Sequence, residues 1–276
     1  MVDSLGPDLR VTNVVASDRR GRDGKQVTFT ATVRNVGGME AAASTTEFLL
    51  DGATVLQNVS TAGLDVGEST DVTVTWNPRD QAGDHTLTVT ADSAEAVAES
   101  DEGNNGADFT FTIRGNRIEN GSFEASSSGT SPDSWSGSST GAGTASWSEG
   151  GSDGTHSASL TGNGGNALVH GSPSWTSNAV AVTPGEALEL AASVRTDGVS
   201  SAPTAGLIYL GPAGEVLQTV RLLTAPLATD GFASLSEVVT IPAGVAQVKV
   251  VLAGFAATDS ATRGTVTFDE VGLFEL

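Results

Sequence analysis

A chain of 276 residues is longer than one modest core requires, and 38% hydrophobic residues, 34 glycines and runs of Val, Thr, Ala and Ser without helical periodicity point to two all-β domains. Its 33 acidic against 13 basic residues give a net charge of −20, a surface that repels nucleic acid and anionic lipid, attracts cations and suits a salty or extracellular setting. The lack of cysteine excludes disulfides, zinc–thiolate sites and thiol catalysis, and no run approaches the ~20 apolar residues of a membrane-spanning helix, so no membrane insertion is expected.

The N-terminus, MVDSLGPDLR, has neither a basic n-region nor an apolar h-region. Either a leader has been removed, or export takes another route, such as release within a virus particle. Strand patterning begins at DLRVTNVVAS. A charged turn, DRRGRDGK, follows. In QVTFTATVRN, Val27, Phe29, Ala31 and Val33 alternate with Thr and Arg, so one face is buried and one wet. STTEFLLDG ends in an Asp-Gly turn at Asp51 and Gly52. ATVLQNVS and STDVTVTWNP continue the alternation, with Val72, Val74 and Trp76 inward; HTLTVTAD and DFTFTIRG close the set. About seven short strands at this spacing predict an immunoglobulin-like β-sandwich over residues 1–114. Between the last two strands lies ADSAEAVAESDEGNN, carrying Asp92, Glu95, Glu99, Asp101 and Glu102. Such a run serves either as a cation site, since hard cations take several oxygen ligands, or as a solvated acidic turn; the turn is the expected reading.

In order, PDLRVTNV, GKQVTFTATVRNVGG, LDVGESTDVTVTW, AGDHTLTVTAD and VAESDEGNN resemble a CARDB domain, the cell-adhesion-related domain of bacterial surface and secreted proteins. The resemblance covers residues 7 to about 114. It implies an Ig-like fold and a spacer or adhesive role, and brings no catalytic residues with it.

After Gly115 the pattern restarts. NRIENGSFE is predicted to be the first strand of a second domain spanning 115–276, ahead of a Ser- and Gly-rich loop that reaches Trp135. DGTHSASLTGN reads as a turn plus a strand. Two strands flank Pro184-Gly185, a hairpin turns at Gly211 to Gly214, a second at Pro242 to Gly244, and GTVTFDEVGLFEL is the final strand. About eight to ten hairpin-linked strands predict a two-sheet β-jelly-roll sandwich. NRIENGSFE, PDSWS, DGTHSASLTG, VAVTPGEALELAASVRTDG, VTIPAGVAQVKVVL and GTVTFDEVGL resemble the carbohydrate-binding modules of families four, nine, sixteen and twenty-two. That resemblance implies a structural Ca2+ where the first strand, the DGTHS turn and the last strand meet. Its ligands would be the Ser122 carbonyl, the Glu124 carboxylate, Asp153 or a neighbouring carbonyl, and the Asp269 carboxylate.

Sugar sites stack pyranose rings on aromatic faces and hold hydroxyls with planar polar groups. Trp147, Trp175 and Tyr209 are the carbohydrate-binding candidates, with Asn166, Arg195 and Gln218 as possible polar partners; Trp135, Phe123, Phe268 and Phe274 read as core. Aromatics are only 5% of the chain, fewer than sugar-binding modules usually carry. Catalytic patterns are missing. His85, His156 and His170 are scattered, with His156 expected to pack, and neither HExxH nor a GxSxG elbow occurs. The expectation is a non-catalytic, calcium-stabilised extracellular or cell-surface protein attaching to polysaccharide or a cell-surface glycan, with the Ig-like domain as spacer. The alternative is a structural virion protein, a phage capsid decoration or tail accessory whose partner is a protein lattice, because both sandwich folds serve there too.

Overall fold

The structure is a computed structural model describing residues 6–276; the first five residues, part of the N-terminal segment considered above for an export signal, lie outside the described residues. The chain divides into two compact units, Met1–Gly115 and Asn116–Leu276. Both are β-sandwiches.

In the first unit, β1 (Leu9–Ala16), β3 (Val27–Asn35) and β6 (Ser69–Trp76) form one antiparallel sheet. The facing sheet runs, in spatial order, β2 (Arg20–Arg22), β8 (Gly106–Arg114), β7 (Gly83–Thr90), β4 (Ser44–Leu50) and β5 (Thr54–Thr61). The alternation in β3 sets the core: Val27, Phe29, Ala31 and Val33 are fully buried. They meet Phe48, Leu87, Val89 and Phe111 of the other sheet, with the Phe29 and Phe111 ring centres 4.9 Å apart. The charged turn at 18–25 holds a short strand that the sequence pattern does not signal. β2 pairs parallel with β8, and Gly21 must be small because a Cβ there would lie 2.9 Å from the Ile113 side chain.

Asn35, at the end of β3, is fully buried. Its side-chain oxygen accepts the Asp8 (3.2 Å) and Gly37 (3.0 Å) amides, and its nitrogen donates to the Met39 (2.7 Å) and Leu64 (3.1 Å) carbonyls. One amide thus satisfies four main-chain groups from three segments.

The second unit has eleven strands and one helical turn. One sheet runs β10 (Gly143–Glu149), β11 (His156–Gly162), β19 (Thr265–Glu275), β14 (Ala187–Asp197), β17 (Ala233–Thr240). The other runs β16 (Val216–Thr224), β15 (Thr204–Leu210), β18 (Gln247–Ala253), β12 (Ser174–Ser177), β9 (Trp135–Ser138), with β13 (Val180–Ala181) also paired to β18. The hairpin expected at Gly211 to Gly214 forms, joining β15 to β16, but the one expected at Pro242 to Gly244 does not, and the strands flanking Pro184-Gly185 do not pair either. The Pro184-Gly185 turn joins β13 to β14, and the Pro242 to Gly244 turn joins β17 to β18, so each carries the chain from one sheet to the other. A turn's sequence specifies a reversal of direction; whether the returning strand pairs with its predecessor depends on which sheet has a free edge.

Asn116–Glu124 is not a strand. It makes one bridge, Asn116 to Phe274, and then turns, with Asn120 and Phe123 both at positive φ. The segment still occupies the edge of β19 beyond the stretch that β11 covers. Arg117 N donates to Leu273 O (3.0 Å) and Val271 N to Gly121 O (2.8 Å). The Asn116 side chain completes the pairing, accepting from Leu273 N (3.0 Å) and donating to Val271 O (3.0 Å). Gly121 comes so close that a Cβ would stand 1.8 Å from Val271 O. An asparagine amide and a close main-chain approach replace a regular ladder. Phe123 and Phe268, as expected, are core, as are Trp135 and Phe274.

Asn35→Ala is expected to lower the stability of the first unit by about 3 kcal/mol, because four main-chain groups each lose a hydrogen bond, and only Leu64 O keeps another donor, the Ala41 amide. Urea unfolding followed at the Trp76 emission reads this; a loss under about 0.5 kcal/mol would show that water replaces the amide without cost.

Candidate functional site

The turn 150–155, between β10 and β11, is gripped by two carboxylates from distant parts of the second unit. Glu124 arrives from the irregular entry segment. Its Oε1 accepts the amides of Thr155 (2.9 Å) and His156 (2.7 Å), and its Oε2 accepts the Thr155 hydroxyl (2.9 Å). Asp269 arrives from β19. Its Oδ2 accepts the Ser152 (2.6 Å) and Asp153 (3.0 Å) amides and the Ser152 hydroxyl (3.1 Å), while Oδ1 accepts the Glu270 amide (2.8 Å). A bulge in β19 aims Asp269: Ser193 of β14 pairs with Asp269 and Ala191 with Gly272, and Glu270 between them takes φ 47°. The turn can wrap both acids only because its residues are small. A Cβ on Gly154 would lie 2.5 Å from the Glu124 carboxyl, and one on Gly151 would lie 2.7 Å from Asp269 Oδ2.

The two acids differ electrostatically. Burial raises the Glu124 carboxyl, but the His156 and Thr155 amides outweigh burial and hold it below the usual carboxylate range. Asp269 has no exposure; burial pushes its carboxyl up to about 6, despite the Asp153, Glu270 and Ser152 amides.

Three of the four residues expected at a metal, Glu124, Asp153 and Asp269, thus meet at one turn, with Ser122 half-buried in the segment just before. They meet through hydrogen bonds. Glu124 is engaged by amide and hydroxyl donors, and among the described residues no three His, Asp or Glu side chains form a metal cluster. Main-chain oxygens do converge beside Asp269. Where a Gly151 Cβ would be, His156 O lies at 2.5 Å and Asp153 O at 3.0 Å, next to Asp269 Oδ2. One carboxylate and two carbonyls are the hard-oxygen donors that a cation at this turn would draw on.

The aromatic candidates separate. Trp175 is 3% exposed, packs in the core and donates its indole N–H to Ser159 O (3.3 Å); Tyr209 is 4% exposed. Neither presents a face to a sugar, because both belong to the buried core of the sandwich. Trp147 is half-buried. Its N–H donates to Phe123 O (2.7 Å), and His156 stacks on it at 4.1 Å and 14°. His156 therefore packs, as expected, and Trp147 braces the same turn that the acids hold. Among the polar partners, Asn166 is spent capping the helical turn Ala167–His170, where it accepts the Leu168 amide (2.9 Å). Gln218 is exposed on β16. A small cleft of about 150 Å³, lined by Glu119, Ser134, Ser177 and Asn178, is below the size that encloses a ligand.

Arg195 is the exception. It lies on the outer face of β14 with its guanidinium 4.9 Å from the centre of the Phe232 ring, a residue that the sequence pattern alone does not single out. Strand register places Ser146 opposite Ser159, Ser159 opposite Thr267 and Thr267 opposite Arg195. Val194 pairs with Ala233, so Phe232 continues the row. Three hydroxyls on three strands thus lead to a cation–aromatic pair on the fourth; Ser146 is exposed, whereas Ser159 and Thr267 are buried. Ser159 Oγ lies 3.3 Å from Thr267 Oγ1 in the row and 2.8 Å from the hydroxyl of Ser148, which is outside it.

The Asp269 shift has a sign that can be tested. Its folded value, about 6, lies above the ordinary 3.8, so the folded state holds its proton more tightly. The stability this confers is fully present below the unfolded value and is lost as pH rises through about 6, by at most about 3 kcal/mol. Melting temperature should therefore fall from pH 4 to 7 more steeply for the wild-type chain than for Asp269→Asn. Parallel profiles would mean that the carboxyl is ionised throughout.

Comparison with known proteins finds the CARDB family model matching residues 6–109. A CARDB domain from Pyrococcus furiosus, solved in complex with di-metal ions, is 26% identical, covering 41% of this chain and 93% of that chain at TM-score 0.36. The CBM22-1 xylan-binding domain from Paenibacillus barcinonensis is 16% identical, covering 56% of this chain and 90% of its own at TM-score 0.39. A family 16 carbohydrate-binding module is 19% identical over 58% of this chain and 100% of its own, at TM-score 0.40. No curated protein matches. Over residues 6–109, this chain is a CARDB domain.

Proposed function

We propose that the chain is a non-catalytic protein of the cell surface or extracellular medium that attaches to polysaccharide through its second unit, with the CARDB domain as a spacer. The observation that carries this reading is the exposed Arg195 guanidinium over the Phe232 ring on the outer face of one sheet. A polysaccharide is an extended chain of hydroxyls and weakly apolar ring faces. It is matched by a planar guanidinium that can donate to hydroxyls and an aromatic ring beside it.

Calcium belongs to the same reading, as a stabiliser of the 150–155 turn. It would draw on the Asp269 carboxylate and the Asp153 and His156 carbonyls, and it would compensate a buried negative charge that has only amide dipoles around it. Glu124 then shapes the turn rather than ligating the ion.

Affinity electrophoresis through gels containing a panel of soluble polysaccharides tests the binding face. At least one polysaccharide should retard the chain, and Arg195→Ala and Phe232→Ala should each weaken retardation on the order of 10-fold while leaving the melting temperature nearly unchanged. Trp147→Ala should instead lower the melting temperature, since its indole holds the Phe123 carbonyl. Retardation that survives both face variants would move the site elsewhere; no retardation by any glycan would leave the sandwich as a scaffold for a protein lattice. The calcium reading requires that about 1 mM Ca2+ raise the melting temperature over a chelator at pH 7, and that Asp269→Asn remove that gain.

A further inference from the structure

In the first unit, residues 91–105 between β7 and β8 fold back onto the start of β1. Ala91 N donates to Asn105 O (3.1 Å), and Ser100 N to Pro7 O (2.9 Å). Glu99 joins the two segments. Its Oε2 accepts the Leu9 amide in a short hydrogen bond, and its Oε1 accepts the Asn105 side-chain nitrogen (2.9 Å). The neighbouring Asp92 is fully used, its two oxygens accepting the Ala96 (3.0 Å) and Val97 (2.8 Å) amides, which is what the acidic-turn reading of this segment expects.

Other buried oxygens in the two segments that Glu99 joins are not used. Asp8 is 9% exposed and Asn105 7%, and in each the Oδ1 atom is sealed from solvent without a hydrogen-bond donor; Asn104 Oδ1 is in the same condition. Connectivity brings them to one place. Asp8 directly precedes Leu9, whose amide Glu99 holds, and Asn105 gives its nitrogen to the same carboxylate, leaving its oxygen alongside. The neighbourhood therefore gathers acceptors and negative charge. Burial raises the Glu99 carboxyl against the pull of the Leu9 amide, and the charges of Glu102 and Asp92 push it further the same way. Leaving a buried acceptor without a partner costs about 1–3 kcal/mol, and several together ask for one species that satisfies oxygens alone. A hard cation does that, and calcium accepts mixed sets of carboxylate and amide oxygens.

We propose that Asp8, Glu99 and Asn105, with Asn104 at the rim, bind a calcium-type divalent cation that fastens the start of β1 to the loop between β7 and β8. The donor set is mixed, two carboxylates with amide oxygens, in keeping with the absence of any three-acid cluster among the described residues. The site stands in the CARDB domain and is independent of sugar binding and of the Asp269 turn.

The test is a calcium titration of the 15N-labelled full chain, followed by amide chemical shifts, with magnesium as a control. Saturable shifts should centre on Leu9 and residues 99–105, with a dissociation constant on the order of 10⁻⁴–10⁻³ M. They should persist in Asp269→Asn, which separates this site from the second unit's turn, and disappear in Asp8→Asn. Asp8→Asn is nearly isosteric and alters an oxygen that accepts no hydrogen bond, so the fold should survive, as dispersed amide signals elsewhere would show. Glu99→Gln should weaken binding at least 10-fold. The proposal fails if these amides show no saturable shift up to ~10 mM calcium, as they would if a buried water or a proton on Glu99 satisfies the oxygens. It also fails if the shifts survive Asp8→Asn.

Discussion

The second unit depends on a carboxylate with no exposure. Asp269 sits on β19, the strand that pairs with β11 on one side and β14 on the other, and its Oδ2 takes three donors from the turn before β11. That grip fixes the turn, the turn fixes His156, and His156 stacks on Trp147, whose indole returns to the entry segment at Phe123. Glu124, next to Phe123, closes the loop by holding the Thr155 and His156 amides. The beginning, a middle turn and the end of the unit are locked by one circuit of short-range polar contacts around the apolar core.

The first unit uses the same device. Glu99 holds the Leu9 amide at the start of β1, Asp92 holds the amides of its own loop, and Asn35 satisfies main-chain groups from the segments around it. In a chain with 33 acids and 13 bases, most carboxylates cannot find a basic side chain. Main-chain amides are the partial positive charges always at hand, and loops rich in Gly and Ser let them turn toward an acid. The strong Arg117 pairing with Glu186 and Glu275 is the counterexample, an ion pair that ties the entry segment to the β13–β14 turn and the end of β19.

Patterning made the architecture legible. Period-two alternation in QVTFTATVRN marks a strand with one buried face, and Phe29 and Val33 are buried as that period requires. The motif order pointed to a CARDB domain. The acids of the turn were legible too, since Glu124 and Asp269 flank distinctive sequences at opposite ends of the unit. The face proposed for binding was not. Trp175 and Tyr209 draw the eye because aromatics serve sugars, but aromatics serve cores equally well, and residue type does not say which side of the sandwich a strand turns inward. Arg195 and Phe232 are 37 residues apart, and only the register of β14 on β17 makes them neighbours.

By itself the sequence determined composition, charge, strand periodicity and turn positions, because these depend on residues near one another in the chain. It settled that the protein is all-β, that it has two sandwiches, and that its polar economy rests on acids. Tertiary structure decided which turns cross between sheets, that Asn116–Glu124 is a clasp rather than a strand, and which acids are buried. It also decided which row of side chains lies together on a face. Those outcomes depend on which edges are free when distant strands meet and on a Cβ having no room at Gly121 or Gly151, and such constraints exist only once the chain has closed on itself.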